Sequence, residues 1–205
     1  MSRPVTIYAE MTPNPKTMKF VADHMLISSG EIVEFLSPSD SKGYSTLADA
    51  LFNFPFVTKI FIAQNFVTVT KNDMIEWSDV SLEMRDFIRE WLMENEDAVQ
   101  KIPEQSKIEV VSESEKKTTN ISPVINTEMD QKIVDLINEY IQPAVEQDGG
   151  AIHFQSYNKD KGQVTVVLKG SCSGCPSSTA TLKGGVENLL KSHIPEINEV
   201  VALNG

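Results

Sequence analysis

The chain has few cysteines, no long apolar run and no basic segment. Its 205 residues include 2 cysteines and 7% aromatic residues. No stretch approaches the roughly 18 consecutive apolar residues of a membrane span, so the sequence predicts no transmembrane helix. Residues Met1 to Glu10 lack both the apolar core of a signal peptide and the Arg- and Ser-rich character of a transit segment. We therefore expect a soluble, cytoplasmic protein.

Basic character is also lacking. The formal net charge is −11, and each of the segments 1–95, 96–126 and 127–205 is acidic. Binding to a phosphate backbone needs clustered Lys and Arg, which excludes nucleic acid as an expected partner. Acidity of this size favours solubility and attraction to basic partner surfaces.

The patterning predicts an α+β protein with two small α+β domains joined by a flexible linker. The expected boundaries are 1–95, 96–126 and 127–205. In the linker the apolar periodicity disappears, and Glu, Lys, Ser, Thr, Gln and Pro dominate. For the first domain we expect strands at about 5–9 and 18–21, a short helix from a Ser45 or Thr46 cap to about Pro55, a hairpin over 59–71 and a helix over 78–95.

The second domain is predicted to have the element order α-β-β-α-β. Its first helix begins at a Thr127 cap with Asp130 three residues on, and ends near Asp148-Gly149-Gly150. Strands follow at about 151–157 and 163–169. A second helix carries apolar residues from Leu182 to Ile194, and a last strand spans about 198–203.

The two cysteines form one motif, Cys172-Ser173-Gly174-Cys175, between the strand at 163–169 and a helix that Pro176 begins. Because proline favours the first helical position, both sulfurs are placed at a helix N-terminus. Unpaired N–H groups and the positive end of the helix dipole stabilise thiolates and anionic ligands there. Two cysteines so close together cannot form a disulfide framework for a chain of this length, so we expect them to chelate.

Counting ligands constrains what the pair can hold. An iron-sulfur cluster normally takes four cysteine thiolates, and one chain supplies two. If two copies met at their cysteine loops, the same surface of each copy would supply two thiolates, which makes four in all. We therefore expect Cys172 and Cys175 of two subunits to share a [4Fe-4S] or [2Fe-2S] cluster, near solvent and sensitive to air.

Other interpretations of the cysteine pair stay open at this point. One is a dithiol/disulfide redox protein, although the expected element order does not place the motif at the first helix of a parallel β-α-β sheet. A second is a zinc site with four thiolates from two chains. A third is an incidental surface pair.

Longer stretches resemble a known family. The segments Tyr140 to Val145, Asp148-Gly149-Gly150, Gly170 to Ser178 and Thr181-Leu182-Lys183 are similar to the NifU C-terminal (Nfu-type) iron-sulfur domain, over about residues 127–205. The first segment resembles the Nfu N-terminal domain through Thr12-Pro13-Asn14-Pro15, Lys19-Phe20, Leu51-Phe52, Phe66 to Lys71, and Trp77. One departure is Ala151, where the family commonly has an acidic residue.

This resemblance implies a non-enzymatic scaffold or carrier. It implies a [4Fe-4S] cluster, rather than [2Fe-2S], held between Cys172 and Cys175 of two subunits and passed to apo-proteins. The implied partners are a second copy on cluster binding, upstream cluster donors and client proteins. The first domain carries no evident ligand and is expected to recognise partners or to regulate access to the cluster. No catalytic residue is assigned, and His24, His153 and His193 are expected to be ordinary packed or solvated side chains.

Overall fold

The first unit contains a five-stranded antiparallel sheet. The structure, a computed structural model, describes residues 4–27, 31–95, 97–103, 127–174 and 176–205. The sheet order is β1-β2-β5-β4-β3. The elements are β1 (Ile7–Met11), β2 (Thr17–Ala22), β3 (Ile32–Phe35), α1 (Pro38–Ser41), α2 (Thr46–Leu51), β4 (Val57–Ala63), β5 (Phe66–Lys71) and α3 (Trp77–Glu94).

Only one face of this sheet packs against helices. Alternating residues of the strands, among them Phe20, Ile60, Ile62, Val67 and Val69, join the buried side chains of α2 and α3 in one apolar core. The hairpin turns over Gln64-Asn65, as predicted, and Ala63 pairs with Phe66. The opposite face presents Phe61, Phe66 and Thr68, which are nevertheless buried.

Sequence patterning found most of this unit but missed β3 and α1. Each has only four residues, which is too short to show a period. In β3, Val33 and Phe35 face the core while Ile32 and Glu34 face away from it. β1 also lies two residues later than expected, at Ile7–Met11.

The second unit begins with a helix that changes type along its length. Its parts are α4 (Glu128–Leu136), a π-helical segment (Ile137–Ile141) and α5 (Gln142–Gln147). Thr127 and Asp130 form the predicted capping box at its start. In the π segment the Gln142 N–H donates to the Ile137 carbonyl, just before Pro143, which has no N–H to continue the ladder. Gly149, with a φ of 80°, ends the helix in the left-handed conformation.

A three-stranded sheet completes this unit in the order β6-β7-β8. The strands are β6 (Gly150–Asn158), β7 (Gln163–Gly170) and β8 (Glu199–Asn204), and α6 (Pro176–His193) connects the last two. β6 and β7 are antiparallel, whereas β7 and β8 are parallel. The cysteine motif therefore does lie in a parallel β-α-β unit. The expectation that the motif lies outside a parallel β-α-β unit is wrong, so element order does not count against a redox dithiol.

The α+β class and the two units are confirmed. The boundaries at 1–95, 96–126 and 127–205 stay predictions, because residues 104–126 of the expected linker lie outside the described residues. Among the described helices, none is both long and apolar enough to cross a membrane.

Candidate functional site

Cys172 lies in the turn that links β7 to α6. Gly170 ends β7 with a φ of 64°, which turns the chain towards the helix start at Pro176. The second cysteine of the motif, Cys175, lies outside the described residues. Cys172 therefore occupies the predicted place before the helix, and what the structure says of the pair concerns this residue.

The Cys172 side chain is buried rather than near solvent. Only 5% of the residue is exposed, and it packs in the same core as Ile152 and Leu168. Gly150 permits this, because a Cβ on Gly150 would lie 2.7 Å from the Cys172 Sγ. The expectation that the cysteine loop is near solvent is thus wrong for Cys172.

A cavity of about 360 Å³ adjoins Cys172. Residues from both units line it: Ala144, Val145, Asp148, Cys172, Thr181 and Leu182 from the second, and Pro13 from the first. Thr181 and Leu182 belong to the segment that resembles the family. The cavity gives a ligand of cluster size a place beside the thiol.

Hydroxyl groups surround the cysteine. The Ser171 hydroxyl donates to the Asp148 carbonyl and lies 3.8 Å from the Cys172 Sγ. Thr179 Oγ1 donates to the Cys172 carbonyl across 3.3 Å. The Ser173 hydroxyl is buried and has no hydrogen-bond partner among the described residues. A buried hydroxyl between the two cysteines of the motif can donate to a ligand that the thiols hold.

The first unit reaches the backbone just before Cys172 and the adjacent turn at Gly149. The Gly170 N–H donates to Glu34 Oε1 at 3.0 Å. Thr68 Oγ1 donates to the Gly149 carbonyl at 2.7 Å, and Asn14 Nδ2 donates to the Ser171 carbonyl at 3.0 Å. Burial raises the pKa of the Glu34 carboxyl above its ordinary value, while the Gly170 hydrogen bond opposes that rise.

An apolar contact lies beside these hydrogen bonds. Phe61, Ala63 and Phe66 of the first unit form a small buried cluster with Ala151 of β6. Ala151 is 1% exposed. The residue at which the sequence departs from the family therefore lies in the contact between the two units.

The three histidines are far apart in the chain, and each has its own surroundings. Burial, together with a smaller effect of the nearby Lys169, lowers the pKa of His153 to about 4. His24 lies 2.8 Å from Asp23, and His193 stacks near Tyr140. Within the described ranges, no three His, Cys, Asp or Glu residues are grouped to hold a metal ion. A metal group at Cys172 would need ligands from Cys175 or from another chain.

Patterning alone did not find Glu34, Thr68 or Asn14 as neighbours of the cysteine loop. Glu34 lies on a strand that was not predicted, and Thr68 is one of several Thr residues in a strand. Asn14 belongs to the Thr12-Pro13-Asn14-Pro15 turn, which the resemblance had singled out. Their contacts join positions from 81 to 157 residues apart, a separation that local patterns do not report.

Two known families match the chain. Residues 7–95 match the family described as "Scaffold protein Nfu/NifU N terminal", and residues 133–201 match "NifU-like domain". Together the matched residues make up more than half of the chain.

Curated relatives match nearly the whole chain. Proteins named "NFU1 iron-sulfur cluster scaffold homolog, mitochondrial" are 31% identical over 199 residues in Drosophila willistoni and 32% identical over 202 residues in Drosophila ananassae. These matches cover 97% of this chain but 63% and 64% of the relatives, so the chain spans less than two thirds of their length. Both names state a mitochondrial location, which overturns the expectation of a cytoplasmic protein.

The solved structures that are similar to the chain include the solution structure of a NifU-like protein from Saccharomyces cerevisiae, with 27% identity and a TM-score of 0.43. The match covers 48% of this chain and 87% of the yeast chain.

Proposed function

Because the chain belongs to the Nfu/NifU family of iron-sulfur cluster scaffold proteins, we propose that it is a non-enzymatic carrier of a [4Fe-4S] cluster. Cys172 and Cys175 of two copies would hold the cluster between them. The cluster is cargo that the protein receives from a donor and passes to apo-proteins. The names of the relatives lead us to place this activity in mitochondria.

The observation that carries the proposal is the position of Cys172. Its sulfur lies before the N-terminus of α6 and beside a cavity of about 360 Å³, within the motif that also contains the only other cysteine. The positive end of an 18-residue helix favours thiolate and an anionic cluster. The buried hydroxyl of Ser173 can donate to a cluster sulfur, which fits the donor chemistry of the site.

Two copies are needed because of the ligand count. A cluster with four cysteine ligands requires twice the number that this chain contains. Within the described ranges, no three His, Cys, Asp or Glu residues are grouped to hold a metal ion, so the other ligands would come from Cys175 and from a second chain. Binding of the cluster would therefore drive dimer formation, and loss of the cluster would return the monomer.

The test is anaerobic reconstitution of the full chain with iron and sulfide. We expect four iron and four sulfide per dimer, a broad visible absorbance and a mass of two chains. Cys172→Ala and Cys175→Ala should each abolish all three, while Ser192→Ala, an exposed position at the far end of α6, should leave them unchanged. Incubation with an apo form of a [4Fe-4S] protein should then move the absorbance to that protein.

Other outcomes would decide against the proposal. A colourless monomer that binds no iron and catalyses disulfide exchange would identify a redox dithiol. A colourless dimer with one zinc ion would identify a structural zinc site. A stable cluster in either cysteine variant would show that the pair is not the ligand set.

A further inference from the structure

We propose that the face of the first sheet opposite its helices is a docking surface for the cysteine-bearing end of the second sheet, and that this docking screens the Cys172 thiol. The docking surface consists of Glu34, Phe61, Ala63, Phe66 and Thr68. Its occupant is the NifU-like unit of the same chain. The docking and screening are independent of the proposed function, and only their consequence for cluster sharing depends on it.

The apolar part of the docking surface needs a cover. Side chains alternate along a strand, so Phe61 points away from the core that Ile60 and Ile62 enter. Without the second unit, Phe61, Ala63 and Phe66 would form an exposed apolar patch. With Ala151 packed against them they are 1%, 1% and 3% exposed. The second unit therefore covers this patch almost completely.

The polar part of the docking surface matches the backbone that precedes Cys172 and the backbone of the adjacent turn at Gly149. Glu34 accepts from the Gly170 N–H, and Thr68 donates to the Gly149 carbonyl. From the same side, Asn14 donates to the Ser171 carbonyl, next to Cys172 in the chain. Each of these backbone groups faces a side chain of the matching donor or acceptor type. The contact is thus specific to the cysteine-bearing end of the sheet.

The residues of the second unit that lie closest to Thr68 and Phe61 are glycines, which have no side chain. A Cβ on Gly149 would lie 2.9 Å from Thr68 Oγ1, and a Cβ on Gly170 would lie 3.0 Å from the Phe61 ring. Ala151 of β6 also faces the first unit, and its side chain is only a methyl group. An acidic side chain at that position would place a charge against Phe61 and Phe66 and oppose docking.

Docking has a direct consequence for Cys172. The hydrogen bond from Asn14 to Ser171 holds the turn that contains Asn14 against the second unit. Pro13, in the same turn, lines the cavity beside Cys172, which is 5% exposed. A cluster shared between two copies needs both cysteine loops to meet a second chain. The first unit must therefore release the loop, wholly or in part, before a second copy can approach Cys172.

The experiment measures how fast Cys172 reacts with a maleimide in the native, metal-free chain. A Cys175→Ser background leaves Cys172 as the only thiol. Ala151→Asp and Glu34→Lys oppose docking from opposite sides of the contact, and each should raise the reaction rate by about tenfold or more. Leu82→Asp, which adds a charge at a position of α3 that is 65% exposed, should leave the rate unchanged.

The outcomes separate screening from local damage. An increase with Ala151→Asp alone would show a disturbance within the second unit and would overturn the proposal. Rates within twofold of the unmodified background for both variants would overturn it too. Circular dichroism establishes that each variant is folded, and small-angle scattering should show a larger radius of gyration for both.

Reconstitution of the same variants with iron and sulfide, with both cysteines present, distinguishes the two proposals. A faster thiol reaction without any cluster in the native chain would support docking and contradict the carrier function. A normal cluster with no change in thiol reaction would support the carrier function and contradict docking.

Discussion

Glu34 on β3 accepts a hydrogen bond at 3.0 Å from the backbone N–H of Gly170, 136 positions later in the chain. Gly170 is two residues before Cys172, so a half-buried carboxylate of the first unit contacts the loop that carries the candidate ligand. Burial raises the pKa of this carboxyl. Ionisation of Glu34 in the contact between the units therefore has an electrostatic cost, which the hydrogen bond from Gly170 partly offsets.

Glu34→Gln should be at least as stable as the native protein at pH 7. The amide oxygen keeps an acceptor for Gly170 but removes the buried charge. Because the pKa of Glu34 is raised in the folded state, its stabilising contribution is complete below the ordinary value of 4.5 and declines as pH rises through the raised pKa. Urea unfolding from pH 4 to 8 should show a difference in favour of Gln that grows with pH.

Glu34→Ala is the contrasting variant. It leaves the Gly170 N–H without its acceptor in a buried contact, which costs about 1 to 3 kcal/mol. Hydrogen exchange at the Gly170 amide should also become faster. If Gln proves as costly as Ala, the hydrogen bond does not explain the role of Glu34.

Ser45→Ala should destabilise the first unit by about 1 to 2 kcal/mol. The Ser45 hydroxyl accepts from the Ala48 N–H at 3.0 Å to cap α2, and it donates to the Ala98 carbonyl at 2.7 Å. Ser37→Ala is the matched control, since Ser37 precedes α1 without making a side-chain cap bond. Thermal unfolding should show a lower midpoint for Ser45→Ala alone, and equal shifts would contradict the capping role.

Local chemistry made much of the fold predictable. The caps at Ser45 and Thr127, the turn at Gln64-Asn65 and the helix start at Pro176 are encoded by neighbouring residues. Pro176 was also enough to predict that Cys172 lies just before a helix of the second unit.

The contact between the units was not predictable in this way. Glu34 faces Gly170 only because β3 joins the edge of a sheet, and the helix over 137–141 widens only because Pro143 follows it. The burial of Cys172 likewise depends on Gly150 of β6, where a Cβ would lie 2.7 Å from the Cys172 Sγ. Such facts depend on tertiary packing, which single-sequence periodicity does not contain.

His153 should make the protein less stable in mild acid. Burial lowers its pKa from 6.5 to about 4, so the unfolded chain binds the proton more readily than the folded chain. The stability that depends on neutral His153 is complete above pH 6.5 and is lost as pH falls towards 4, by at most about 1.4 kcal/mol per pH unit. Chemical unfolding over this range should show the loss.

His153→Gln provides the comparison, because it cannot take up a proton. Carboxylates that titrate over the same range contribute equally to both proteins, so the difference between the two stability curves reports His153. The difference should change between pH 6.5 and 4 and stay constant above pH 7. Parallel curves throughout would show that His153 is not buried in its neutral form.

Gly150→Ala should displace Cys172, although it adds only a methyl group. The new Cβ would lie 2.7 Å from both the Cys172 Sγ and the Lys169 carbonyl, and the strand leaves neither free to move far. Overpacking of this kind typically costs about 1 to 3 kcal/mol. Gly184→Ala on α6, where a Cβ meets nothing within 4 Å, should instead stabilise the protein by about 0.5 to 1 kcal/mol. Urea unfolding measures both, and maleimide should react faster with Cys172 in the Gly150 variant only, since the displaced thiol leaves the core. A Gly150→Ala protein with native stability and thiol reactivity would show that the loop holds Cys172 by other contacts.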